Sequence, residues 1–218
     1  MISIPEFIRG EYLTMVTKLG TTKRTDLSEF EYQRKGGKRA ITLDEGDELV
    51  YVGHTSGEDE LIIATRSGMA ARFREDAVRV MGRTARGVRG IKLSGDDYVC
   101  GVTHVDDTKS MITITEKGFG KRCPFDAFSA HNRGTKGVTC QKISDKTGAL
   151  VGIAAVSEDD DIMLITNDGT LIRTRVAQIP EYSRSAGGVI IMRTGDASIV
   201  NFARVEKSEE EIEIDEIE

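Results

Sequence analysis

Positively charged side chains recur beside glycines at a fixed interval along this chain, and cations held at such turns can bind phosphate. Four glycines are each followed by an arginine four residues later, which gives the pairs Gly20 and Arg24, Gly68 and Arg72, Gly118 and Arg122, and Gly169 and Arg173. A second glycine mark, spaced by 50, 50 and 51 residues, lies at Gly37, Gly87, Gly137 and Gly188. Lysine and arginine bind nucleic acids mainly by neutralising phosphates, and turn amides form concave anion sites. The pattern therefore indicates a repeated binding surface for a polyanion.

Elements at matching places in each repeat must position these cations. In the second repeat, the residue pattern predicts strands at 61–65, 69–73, 90–93 and 98–105, with a turn at Ser67 and Gly68. The other first strands are expected at 12–17, 111–115 and 162–166, and the other last strands at 49–52, 150–156 and 199–205. No segment keeps a helical period for three turns. Four strands per repeat predict an all-β, propeller-like array of four-stranded blades, which must stack to bury their faces.

The charge of the chain is divided between a slightly basic body and an acidic end. The 218 residues carry a net charge of −6, and residues 206–218 contribute eight acids and one lysine to it. The acidic end therefore has a net charge of −7, which leaves a net charge of +1 on the other 205 residues. We expect a β array at 1–205, with blades at 1–52, 53–105, 106–156 and 157–205, and a disordered acidic tail at 206–218. The tail is either a solubilising end or a competitor that screens the basic loops.

Catalytic chemistry finds little support in the residues. The three cysteines and three histidines are scattered without the spacing of a zinc site, and neither a nucleotide-binding P-loop nor a zinc-protease motif occurs. The acidic residues 158–161 fit a solvated loop better than a metal cluster, and His131 is more simply a bystander than a phosphate ligand. We expect no catalytic residue, metal or cofactor in this fragment. No apolar run is long enough for a membrane span, and no signal peptide is recognisable, which favours the cytoplasm.

The basic loops are the strongest functional signal, because four repeats carry them at equivalent places. Surface arginines are common in any protein, but their repetition favours contacts with the backbone of a duplex, and sparse aromatics disfavour stacking on single strands. The candidate DNA-binding residues are Arg34, Lys35, Lys38, Arg39, Arg72, Arg83, Arg86, Arg89, Lys121, Arg122, Arg133, Lys136, Arg173 and Arg184.

Three stretches around the second glycine mark carry a family resemblance. Residues 81–93 (MGRTARGVRGIKL) resemble the signature of the C-terminal domain of DNA gyrase A, and residues 132–138 and 183–190 are similar to its later repeats. The resemblance covers residues 1 to about 205. It implies a β-pinwheel whose neighbouring blades exchange a strand and whose basic rim wraps duplex DNA, so that strand passage introduces negative supercoils. It also implies that ATP and Mg act in other domains, and that the partners are the rest of gyrase A and gyrase B.

Two departures from the family pattern keep alternatives open. The family commonly has six blades, whereas four repeats are present. The glutamine-arginine-arginine-glycine-glycine-lysine-glycine box of gyrase has its nearest match at residues 33–39 (QRKGGKR), with Lys35 and Arg39 as substitutions. This run is either the box itself or its counterpart in a later blade. The alternatives are the corresponding C-terminal domain of topoisomerase IV, which would bind DNA without the supercoiling wrap, and a protein-interaction propeller.

Overall fold

A computed structural model describes residue 4, residues 7–32 and residues 35–206. Its secondary structure is strands and single 3-10 turns, so the predicted all-β class is confirmed. Each repeat begins with a hairpin whose first strand is an apolar, largely buried run. The hairpin turns at a glycine with a positive φ, which is 82° at Gly20, and glycine reaches this conformation without steric cost. The fold divides into two compact units.

The first unit comprises Met1–Val105 and Phe128–Val138. Its strands are β1 (Tyr12–Thr17), β2 (Thr21–Asp26), β3 (Leu49–Thr55), β4 (Glu60–Thr65), β5 (Met69–Arg74), β6 (Val88–Arg89) and β7 (Val99–His104), and the unit ends at the first residue of β10 (Val138–Thr139). They form two four-stranded sheets with the orders β3-β1-β2-β6 and β10-β5-β4-β7.

The second unit comprises Asp106–Ala127 and Thr139–Glu218, of which the part up to residue 206 is described. Its strands are β8 (Ser110–Thr115), β9 (Phe119–Pro124), β11 (Leu150–Val156), β12 (Asp161–Thr166), β13 (Leu171–Arg175), β14 (Val189–Ile190) and β15 (Ile199–Val205). The sheets have the orders β11-β8-β9-β14 and β13-β12-β15, and neighbouring strands within them are antiparallel.

The hairpin and last strands follow the predicted positions closely, but the predicted third strand at residues 90–93 is wrong. The pairing residues there are β6, two positions earlier, and they pair with β2 of the preceding repeat at Thr22 and Val88. Gly90 and Ile91 then both donate backbone hydrogen bonds to the Gly20 carbonyl, at 2.8 and 3.3 Å. Because this one acceptor bends the chain around the Gly20 turn, the segment cannot continue as a strand. Each such sheet is therefore completed by the next repeat.

The apolar core of each unit lies between successive sheets. In the first unit, Val16 of β1 packs in one cluster with Leu61, Ile63 and Phe73 of the next hairpin. In the second unit, Ile112 and Ile114 pack with Ile162 and Leu164 in the same manner. Burial of these side chains stabilises the stacking by roughly 25 cal/mol for each Å² of apolar surface removed from water.

The last sheet has three strands among the described residues, where the other sheets have four. Leu171 at its β13 edge is 53% exposed, whereas Thr22 and Ala70 occupy the same repeat position in the first unit and are buried. Ile165 on β12 is 38% exposed, whereas its counterparts Val16 and Ile114 are fully buried. The fourth repeat thus keeps the apolar pattern of a stacked blade on an uncovered edge and face.

Within the residues described, no helix has the length and apolar character that crossing a membrane requires.

Candidate nucleic-acid interface

Each repeat after the first contains a segment that leaves its own hairpin and lies along the sheet of the preceding repeat. We call residues 80–92, 130–142 and 181–193 the crossing segments, with residues 35–42 as the described counterpart in the first repeat. Their starting point is fixed by the arginine of the hairpin, whose backbone carbonyl accepts a hydrogen bond from the incoming chain. Met81 donates to Arg24 at 2.8 Å, His131 to Arg72 at 3.0 Å, and Tyr182 to Arg122 at 3.0 Å.

The second glycine mark is explained by the contact of each crossing segment with the edge strand beneath it. Gly137 has a φ of +72°, and a Cβ there would lie under 3.0 Å from the Ala70 backbone carbonyl. A Cβ on Gly87 would likewise lie under 3.0 Å from the Thr22 carbonyl, and a Cβ on Gly188 under 3.0 Å from the Gly120 carbonyl. A Cβ on Gly37, in the first repeat, would meet nothing within 4 Å. The mark thus identifies the point where one repeat docks on another.

An arginine four residues before the second glycine clasps the preceding crossing segment. Arg133 donates from Nη1 to the Arg89 carbonyl at 3.1 Å and from Nε to the Ala77 carbonyl at 2.9 Å. Arg83 reaches the Arg39 carbonyl at 3.4 Å, and Arg184 the Thr139 carbonyl at 3.1 Å. The three side chains are half-buried. Their geometry gives them a structural role, and the prediction that they also contact phosphate is not tested by it.

The arginines of the hairpins lie largely inside the fold rather than on a surface. Arg122 donates from Nε to the Ile179 carbonyl at 2.6 Å and from Nη1 to Glu158 at 2.9 Å. Arg72 donates to Glu60 at 2.5 Å and to the Phe128 carbonyl at 3.2 Å. Both are predicted from the sequence as phosphate contacts. Their donors point at protein acceptors, which favours a role in holding the loops. Arg173, in the fourth repeat, pairs with Asp161 at 2.6 Å and is 45% exposed.

Two lysines one residue before these arginines are fully buried, and Lys121 is among the predicted DNA-binding residues. The Lys121 ammonium donates to the carbonyls of Ser183 and Arg184, both at 2.6 Å. Lys23 donates likewise to the Ala40 carbonyl at 2.5 Å and to the Arg83 carbonyl. Burial lowers the pKa of each lysine to about 8, because desolvation disfavours the charged form. Each ammonium therefore fixes the backbone that carries the arginine clasp.

Only some of the predicted cations are exposed. In the first unit they are Lys35, Arg39, Arg86, Arg89 and Lys136, all exposed, together with half-buried Lys38. Arg86 is 70% exposed and pairs with Asp44 at 2.7 Å. Each of them belongs to a crossing segment or to its first-repeat counterpart. Arg34, which the sequence also predicts, lies outside the described residues.

Sequence reasoning missed several residues that build this surface. Lys23 was missed because a lysine ordinarily indicates exposure, yet its occurrence at the position of Lys121 was a usable signal. Glu75 is fully buried where the other repeats have Leu27, Phe125 and Val176, and its Oε1 accepts from the backbone amides of Gly57 and Asp59 at 2.6 and 3.0 Å. Its Oε2 lies 3.7 Å from Arg24, so it supports the hairpin arginine.

The arrangement is suited to binding anions. Among the residues that the structure describes, no three His, Cys, Asp or Glu side chains are grouped to hold a metal ion. Burial raises the pKa of the Cys140 thiol to about 12 and also raises the pKa of Cys123, so both stay protonated near neutral pH. The exposed cations of the crossing segments present guanidinium and ammonium groups.

The fold defines an all-β repeat protein whose repeats exchange segments that carry exposed cations. Comparison with known proteins identifies its family. A sequence profile described as the DNA gyrase C-terminal domain, a beta-propeller, matches residues 11–56, 59–106, 109–157 and 160–206. The chain belongs to this family. It is 56% identical over 217 residues to the DNA gyrase A of Halalkalibacterium halodurans, covering 99% of the chain and 26% of that protein.

Three further matches bear on this assignment. The DNA gyrase A of Salmonella typhimurium is 42% identical over 219 residues, which is all of the chain and 25% of that protein. The chain thus spans about a quarter of these curated relatives. A solved DNA gyrase A C-terminal domain matches with a TM-score of 0.82 and 28% identity, over 92% of this chain and 68% of that one. The solved C-terminal domain of DNA topoisomerase IV matches with a TM-score of 0.88 and 26% identity, over 94% of this chain and 65% of that one.

Proposed function

We propose that this chain binds and bends duplex DNA without base specificity, as the DNA-wrapping module of a gyrase A protein. The observation that carries the proposal is the placement of exposed cations on crossing segments whose backbones are hydrogen-bonded to one another. Phosphate neutralisation by lysine and arginine supplies affinity that does not depend on base sequence. Repetition of the same local geometry lets successive repeats offer cations to successive phosphates.

The proposed contacts are those with accessible charge. They are Lys35, Lys38, Arg39, Arg86, Arg89, Lys136 and Arg173, with Arg34 proposed on the sequence alone. Arg83, Arg133 and Arg184 contribute mainly as clasps, while Arg72, Lys121 and Arg122 hold the segments from within. The wider assignment follows from the family: wrapping directs strand passage toward negative supercoiling, other parts of the enzyme hydrolyse ATP and cleave DNA, and the partners are the rest of gyrase A and gyrase B, in the cytoplasm.

Duplex binding at graded salt concentrations tests the proposal. We expect the chain to retain duplex DNA at low ionic strength, and the slope of log affinity against log salt to fall by about 0.9 for each phosphate contact removed. Replacing Arg86 and Arg89 by alanine removes two contacts and should reduce the salt slope by about 1.8. The matched control replaces Arg9 and Arg74, which are exposed outside the crossing segments. Failure of the unmodified chain to retain duplex at any salt concentration would refute the proposal.

A second candidate, bending without a supercoiling wrap, is favoured by the altered box at residues 33–39 and by the close fold match to the topoisomerase IV domain. Relaxation of circular DNA by topoisomerase I in the presence of the chain separates the two. Wrapping traps a linking difference that grows with protein concentration, whereas planar bending leaves the linking number unchanged.

A further inference from the structure

A third set of cations lies at one repeat position that the glycine marks do not flag. Five residues after the second glycine, the four repeats have Thr42, Lys92, Lys142 and Arg193. The three cations are exposed, and their spacing is 50 and 51 residues. The family signature at residues 81–93 contains Lys92, whereas the similar stretches at 132–138 and 183–190 end before Lys142 and Arg193.

The backbone at this position is tied to the crossing segment of the following repeat. In the first unit, Lys92 donates from its amide to the Thr135 carbonyl at 2.8 Å, and Thr42 donates to the Ala85 carbonyl at 3.3 Å. In the second unit, Lys142 donates to the Ala186 carbonyl at 3.2 Å. The three acceptors are equivalent residues, two positions before the second glycine. The location of each side chain is therefore fixed by two repeats at once.

This bond brings cations of consecutive repeats together. The residue after Thr135 is the exposed Lys136, so Lys92 and Lys136 are neighbours across one hydrogen bond although they are 44 positions apart in the chain. Arg89 adds a third exposed cation close by, because its side chain would lie 3.7 Å from a Cβ on Gly134. A phosphate approaching Lys136 thus meets positive charge from the preceding repeat as well.

The availability of these charges distinguishes them from the Arg86 side chain. Arg86 is paired with Asp44 and must exchange that partner to bind a phosphate. Across the described parts of the chain, the side chains of Lys92, Lys142 and Arg193 enter no ion pair. Neutralising a phosphate with them displaces only water and counterions, which is the favourable case for DNA binding.

We propose that Lys92, Lys142 and Arg193 each contact a phosphate of duplex DNA, in addition to the cations at the glycine marks. We call these three residues, which share one repeat position, the second row. The inference rests on the proposed function and adds binding residues to it. Each cation is contributed by one repeat, and at Lys92 and Lys142 it is positioned by the next. The first repeat, with Thr42, lacks this contact.

Duplex titration with a triple variant tests the second row. Replacing Lys92, Lys142 and Arg193 by alanine should lower the slope of log affinity against log salt by about 2.7, at about 0.9 for each contact. The charge-conserving variant, Lys92→Arg, Lys142→Arg and Arg193→Lys, should keep the slope. The control set Arg9→Ala, Arg74→Ala and Lys109→Ala removes the same charge outside the crossing segments, and its slope should stay unchanged.

A gain-of-charge variant completes the experiment. Thr42→Lys should add one contact and steepen the slope by about 0.9. An unchanged slope in the triple alanine variant, or an equal loss in the control set, would overturn the second row while leaving the proposed function intact. Absence of duplex binding by the unmodified chain would overturn both. Thermal unfolding of each variant checks that the fold is kept. Lys92, Lys142 and Arg193 are exposed, whereas Thr42 and Lys109 are half-buried, and the Thr42 hydroxyl donates to the Thr84 carbonyl at 2.7 Å.

Discussion

Buried lysines set the local geometry of the crossing segments at the residue scale. Lys23 and Lys121 are each fully buried with the ammonium between two backbone carbonyls. The second and fourth repeats have Ala71 and Ile172 at this position. An apolar residue can therefore occupy the site. The carbonyls of the incoming segment then need other hydrogen-bond donors, and a buried carbonyl without a donor lowers stability by roughly 1–3 kcal/mol.

The lowered pKa of Lys121 predicts a specific dependence of stability on pH. The folded chain releases the Lys121 proton near pH 8, whereas the unfolded chain keeps it up to 10.5. Between these values the unfolded state binds more protons, so the contribution of Lys121 to the free energy of unfolding rises with pH. Lys121→Met should remove this rise.

Urea unfolding across this pH window measures the effect, as the difference in stability between the native chain and the variant. Lys136→Met is the control, because it replaces an exposed lysine of a crossing segment by the same residue. A pH-independent difference for Lys121→Met would show that its pKa is not lowered in the folded chain.

At the scale of the element, the docking of a crossing segment depends on a glycine in a left-handed conformation. Gly137→Ala places a methyl group against the Ala70 carbonyl and forces the segment away from β5. Gly37→Ala imposes the same backbone strain, at a φ of +74°, without any contact. The strain alone costs roughly 1 kcal/mol.

We therefore expect Gly37→Ala to lower stability by about 1 kcal/mol through strain alone, and Gly137→Ala to lower it by clearly more. Thermal unfolding of the two variants provides the measurement, and hydrogen exchange of residues around β10 shows whether the segment has detached. Equal effects of the two substitutions would contradict the docking role of the second glycine mark.

The hairpins and last strands could be predicted from the sequence because their information is local. Apolar runs such as residues 111–115 and turn glycines such as Gly118 lie within a few positions of each other. The exchanged strand β6 could not be predicted by pattern, since it has two residues and its partner Thr22 is 66 positions away. Positive charge was a good indicator of the surface at Arg89 and Lys136 and a poor one at Lys121. Only the contacts of the following repeat decide which lysine is enclosed.

At the scale of the whole molecule, charge is separated between a body near neutrality and an acidic end. The last thirteen residues carry −7, whereas the remainder carries +1. If the end acts as a competitor for the basic loops, we expect it to oppose phosphate at the same cations. This competition should weaken with salt because the Debye length shortens from about 30 Å at 0.01 M to about 8 Å at 0.15 M.

Deletion of residues 206–218 should therefore raise duplex affinity at low salt more than at physiological salt. The measurement is a duplex titration at both concentrations. A chain of full length with the tail acids replaced by glutamine is the control, and it should behave like the deletion if charge is responsible. Affinity unchanged by deletion at both concentrations would leave the tail as a solubilising end.

Exchange of segments between repeats also has a consequence for synthesis. The edge of β2 at Thr22 stays unpaired until Val88, 66 residues later, has been synthesised and completes the sheet. At about 5–20 residues per second, a nascent chain on the ribosome exposes the unpaired edge of β2 for roughly 3–13 seconds. Each repeat in turn leaves such an edge until its successor has been translated. A growing chain of this architecture therefore exposes one unpaired strand edge after another, and chaperones can bind to these edges.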